Sequence, residues 1–136
     1  MSDSTRPRRR VVEATARRPP AELQCIRVLV EHDSDPDTSY LEQDGFEDRL
    51  AAFERGAFHF LGVRAEAEVL IESTTQTLTS GGLWGIESDS TDDEIVNVAV
   101  EEYEQLRKVL KTIGVPTAQL PAAEEAQVRA WIERRT

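Results

Sequence analysis

The chain has 136 residues, with 26 acidic against 16 basic side chains and a formal net charge of −10. A core of this size does not divide in two, which excludes a multidomain enzyme. The single cysteine, Cys25, excludes an intrachain disulfide and a cysteine-rich metal centre, and suits a reducing compartment.

Charge is unevenly spread. Residues 1–20 hold six arginines (Arg6, Arg8, Arg9, Arg10, Arg17, Arg18) against Asp3 and Glu13, so the following 116 residues carry −14. This leader is too polar and too interrupted by proline to bury anything, and it is read as disordered. It is a solvated leader or a contact to nucleic acid or an acidic surface. Residues 21–136 then form a single acidic domain. No run of about 18 apolar residues occurs, so no membrane-spanning helix is expected. The first 20 residues lack the apolar centre of a secretory signal, which points to the cytoplasm.

From Leu23 to Val30 a short run of apolar and β-branched residues, bounded by prolines and by a cluster of aspartates, predicts a central strand. Phe46, Leu50 and Phe53 recur at helical spacing and stop at Gly56, which predicts an amphipathic helix. Between Val63 and Ile71 the alternation is clean, with Leu70 the only exception. Val63, Ala65, Ala67, Val69 and Ile71 share one face, and Arg64, Glu66, Glu68 and Glu72 share the other, as in a strand with one side in water. Thr75 to Ser80 follows as the second arm of a hairpin, joined through Ser73 and Thr74. The glycines between Ser80 and Ile86 predict a bend or bulge as the strand leaves the sheet.

Thr91 and Glu94 match a capping box, and Ile95, Val98, Ala99, Leu106, Val109, Leu110 and Ile113 form a helical stripe ended by Gly114 and Pro116. A short C-terminal helix is expected from Leu120 and Pro121, with Val128, Trp131 and Ile132 on one side. The fold expected is α+β, in the order β-α-β-β-α-α. A small antiparallel sheet of about three strands is packed on one face by two to three helices.

The segment from Glu31 to Asp44 concentrates carboxylates after a strand. Asp33, Asp35, Asp37 and Asp44 stand at positions 1, 3, 5 and 12 of a calcium loop, but Thr38 replaces the turn glycine and Pro36 intrudes. They are candidate ligands of a divalent cation, against the reading of turns and caps; no other cofactor is expected. His32 beside Asp33 resembles a base with an orienting carboxylate, although neighbours on a strand face opposite ways. His59 reads as a residue leading into a strand, and Cys25 as buried and inert. A second acidic stretch, Glu87, Asp89, Asp92 and Asp93, suits a helix N-terminus. Trp84 is either a partner anchor or core.

The segments EHDSDPDTSYL (31–41), GVRAEA (62–67) and TLTSGGLWGIESDS (77–90) resemble a family of small acidic proteins of bacteriophages, prophages and mobile elements. The resemblance runs from about residue 25 to residue 113. It implies a genomic context, and hence a bacterial host, but no activity and no functional residues.

The expectation from these readings is a non-enzymatic interaction protein. Its acidic surface (Asp33, Asp35, Asp37, Glu87, Asp89, Asp92, Asp93, with Trp84) engages a basic protein partner and steers its approach, while the folded body avoids nucleic acid. The alternative is a metal-binding module or metal-dependent enzyme using the loop from Asp33 to Asp44.

Overall fold

The structure is a computed structural model and describes residues 20–135. The expectation for the arginine-rich leader therefore falls, Pro20 apart, outside the described residues.

Strand β1 (Ala21–His32) pairs antiparallel with β2 (Phe60–Ile71) along its whole length, from Ala21 opposite Ile71 to His32 opposite Leu61. A bulge at Gln24 shifts the register between Leu23 and Cys25. The extra residue puts Leu23 on the same face as Ile26, Val28 and Val30, which a strict two-residue period forbids. β2 continues through a two-residue turn at Glu72 and Ser73 into β3 (Thr74–Thr79), and Glu72 takes a left-handed φ of 58°.

The chain does not then leave the sheet, as the glycines suggested. It bulges twice and resumes as β4 (Leu83–Glu87) along the same edge of β2. Between Thr79 and Leu83, and again between Leu83 and Ile86, the edge strand advances one residue more than β2. Gly82 and Gly85, at φ of 84° and 77°, take the left-handed conformation that such bulges require.

Helix α1 (Glu47–Glu54) lies between β1 and β2 in the chain, and α2 (Asp92–Thr112) follows β4. The Thr91 side chain caps α2 by accepting from the Glu94 N–H at 3.2 Å, as the capping box predicts. Val63, Ala65, Ala67 and Val69 of β2 and Ala99, Leu106 and Leu110 of α2 are fully buried in one cluster. The alanines at this crossing let helix and sheet approach closely. The buried face differs from the expected stripe: Val109 is 45% exposed, while Val96, Glu102 and Tyr103 are buried.

The C-terminal helix α3 (Glu125–Ala130) starts later than Pro121. After Trp131 the chain forms β5 (Ile132–Arg134), parallel to β1 and not foreseen. Three residues are too few for a period-two signal; what makes them a strand is the free edge of β1. The sheet thus has five strands rather than three, in the order β3-β2-β1-β5 with β4 also on β2, and it is mixed rather than antiparallel.

Helices are not confined to one face. Phe60 leaves β2 on the side opposite Val63, where it forms a separate cluster with Leu41, Ala52 and Phe58 beneath α1. Nor is the charged face of β2 fully in water. Arg27 bonds Glu66 and Glu68, and Arg64 bonds Glu31 and Glu66, leaving Glu66 only 8% exposed. Burial pushes the Glu66 carboxyl up, but the two guanidinium groups outweigh it and hold the group below the usual carboxylate range.

Candidate functional site

The acidic loop after β1 is tied to the sheet by its own first residue. The Asp33 N–H donates to the Phe60 carbonyl at 2.9 Å. One Asp33 carboxylate oxygen accepts from the Asp35 N–H at 3.1 Å, and the other accepts from the Gly85 N–H at 2.9 Å. The loop is therefore clamped against β4. Farther on, Asp37 accepts from the hydroxyl and backbone N–H of Ser39, at 2.7 and 3.0 Å, and these bonds lower its pKa. The 3-10 turn Ser39–Glu42 follows and carries Tyr40. The Tyr40 ring stands edge-on to Phe46 and Phe60, with centroids at 5.4 and 6.5 Å. Burial, then the nearby charge of Glu87, raises the pKa of its phenol.

Trp84 approaches from the other side. Its indole lies over Gly62, where a Cβ would come within 2.0 Å of Cε3, so the ring occupies space that only a glycine leaves open. The bend before it is fixed by Glu102 of α2, which is 4% exposed. One Glu102 oxygen accepts from both the Ser80 hydroxyl and the Gly82 N–H at 2.7 Å. Trp84 itself remains 44% exposed. Asp33, Asp35, Asp37, Tyr40, Trp84 and Gly85 together line a concavity of ≈420 Å³.

Aromatic faces beside carboxylates favour a cation, through the ring quadrupole and through charge-assisted hydrogen bonds. Among the described residues, no group of three or more His, Cys, Asp or Glu side chains is placed to hold a metal ion. Asp44 lies in the exposed turn before α1 and does not line the concavity.

The second acidic stretch has partners of its own. Arg49 of α1 bonds Glu87 at 2.6 Å and Asp89 at 2.9 Å, and its guanidinium sits 4.0 Å from the centre of the Phe58 ring. Asp92 faces Arg134 at 3.3 Å and Asp93 faces Arg129 at 3.2 Å. Among the described residues, no ion pair involves Asp33, Asp35 or Asp37. The structure thus brings the first acidic cluster together with Trp84, and turns the second toward α1, α3 and β5.

His32 and Asp33 do not pair. Asp33 turns to Gly85, while the His32 ring lies 5.5 Å from that of His59. Cys25 is half-buried rather than buried, with its thiol 3.3 Å from a Glu68 oxygen; burial first, and that hydrogen bond next, raise its pKa. Sequence reasoning passed over Tyr40, Gly62 and Glu102. Only Glu102 left a signal, as a carboxylate between Ala99 and Leu106 on the apolar stripe of a helix.

The chain matches no family model, no curated protein and no solved structure.

Proposed function

We propose that this chain is a non-enzymatic interaction protein of phage or mobile-element origin, acting in the bacterial host cytoplasm. It takes a basic side chain of a protein partner into the concavity between Trp84 and the acidic loop. The observation that carries the reading is the convergence of Asp33, Asp35 and Asp37 with Tyr40 and Trp84 around ≈420 Å³. A guanidinium fits this chemistry best, since it is planar, stacks on an indole and donates to several carboxylate oxygens at once. The −14 body supports the reading by raising the encounter rate with basic surfaces and repelling nucleic acid.

The test uses Trp84 as its own reporter. In a Trp131→Phe background, a short peptide carrying two arginines is titrated while indole fluorescence is followed. Its counterpart with citrulline, which has the same shape without the charge, serves as control. Saturable binding of the arginine peptide alone, weakened at least tenfold by Asp35→Asn with Asp37→Asn, is the expected result. Equal binding of the citrulline peptide, or no effect of the paired substitutions, would refute the proposal.

A further inference from the structure

At the same end of the sheet, on the face that carries α2, the chain's only two histidines meet. His32 ends β1 and His59 immediately precedes β2, and their rings lie 5.5 Å apart with planes inclined by 38°. Ser88 is held beside them by two bonds to His59: its N–H donates to the His59 carbonyl at 2.8 Å, and its hydroxyl oxygen accepts the His59 N–H at 2.9 Å. The hydroxyl proton is a further donor. From the other side β5 brings Arg134 and Arg135, anchored where the Arg135 N–H donates to the Val30 carbonyl at 2.8 Å. These residues, with Val30 and Leu61, line a cavity of ≈330 Å³.

Among the described residues, no carboxylate lines the cavity, in a domain where acidic side chains greatly outnumber basic ones. Among the described residues, the carboxylates paired with these arginines are weak competitors. Asp92 meets Arg134 at 3.3 Å with both side chains more than half exposed, and Glu133 meets Arg135 only at 4.0 Å. Two imidazoles without a third ligand do not make a metal centre. Guanidinium, imidazole and hydroxyl donors converging over an apolar floor do match an oxyanion attached to a small carbon skeleton.

We propose that this cavity binds a small organic phosphate. Arg134 and Arg135 hold the phosphoryl oxygens, His32, His59 and Ser88 donate to them, and Val30 and Leu61 cover the carbon part. The site is independent of the concavity at Trp84.

The chain's two histidines make the test direct, because each ring gives one resolved proton signal at Cε1. The protein is titrated with phenyl phosphate and with inorganic phosphate at fixed pH, with sodium chloride holding ionic strength constant. Both histidine signals should shift saturably, and phenyl phosphate should bind at least threefold more tightly. Arg134→Gln with Arg135→Gln should weaken binding tenfold or more, while Lys108→Gln, on the exposed side of α2, should leave it unchanged. Should the double variant fail to fold, His32→Gln is read through the His59 signal, with the same loss expected. Shifts no larger than those from chloride, or undiminished affinity in these cavity variants, would overturn the site. Equal or weaker binding of phenyl phosphate would overturn its assignment to an organic phosphate.

Discussion

Replacing Gly62 with alanine places a methyl group where the Trp84 indole lies, 2.0 Å from Cε3, 2.3 Å from Cζ3 and 2.6 Å from Cδ2. Carbon atoms in contact settle at about 3.5 to 4.0 Å, so the ring must retreat by roughly 1.5 Å. Taken alone, Gly→Ala within a strand is favourable by about 0.5–1 kcal/mol. Forcing extra volume into a packed contact costs about 1–3 kcal/mol. Because Trp84 is 44% exposed and can swing outward, the overpacking cost falls in the middle of that range, and Gly62→Ala should destabilise the protein by about 1 kcal/mol net. In a Trp84→Ala background the obstruction is absent, and the same substitution should stabilise by about 0.5 kcal/mol. The four proteins form a double-mutant cycle, read by urea unfolding, with an expected coupling of about 1.5 kcal/mol. The arginine peptide should also bind Gly62→Ala more weakly, since the indole no longer faces the acidic loop. A coupling below about 0.5 kcal/mol would show that the ring does not rest on Gly62, and the geometry of the concavity would fall with it.

Three further outcomes follow from the packing. Leu106→Ala, at a completely buried position of α2, should cost about 2–5 kcal/mol in urea unfolding; a loss under about 0.5 kcal/mol would contradict its place against the sheet. Glu102→Ala leaves the Ser80 hydroxyl and the Gly82 N–H without their acceptor, at about 1–3 kcal/mol for each donor that stays buried, whereas Glu102→Gln keeps an acceptor and should cost less; identical losses would deny Glu102 its role at the bend. Glu66 binds its proton less tightly in the folded than in the unfolded chain, so its contribution to stability is complete above the ordinary carboxylate range and is lost as pH falls through the depressed folded value. Unfolding free energy measured across acid pH should therefore decline less steeply in Glu66→Gln, and an unchanged slope would show that Arg27 and Arg64 do not hold the carboxylate.

The elements with a strong period were legible in the sequence. Val63 to Ile71 alternates without a break on its apolar side, and the long helix announces both its cap at Thr91 and its stop at Gly114, where a Cβ would also strike Pro20 at 2.4 Å. Elements that depend on a neighbour were not legible. β5 exists because β1 offers a free edge, and β4 because two glycine bulges keep the chain on β2 when its composition suggested departure. The candidate sites divide in the same way. The clustering of Asp33, Asp35 and Asp37 is visible in the chain, but that they face Trp84 depends on the bond from the Gly85 N–H to Asp33. Likewise, no spacing rule joins His32 to His59, or either of them to Arg134.

By itself, then, the sequence determined that the body is acidic, that it mixes helices with strands, and where its most regular strand and helix run. Those properties are local: charge is a count, and periodicity and capping act over a few residues. Only the tertiary structure decided which strands are neighbours, which acidic side chains have arginine partners, and which residues from distant parts of the chain share a cavity. These depend on pairings across long stretches of chain, such as Arg49 with Glu87 or Glu102 with Gly82. Such contacts arise only when the bulges, the small residues at the helix crossing and the free edge of β1 are all in place at once.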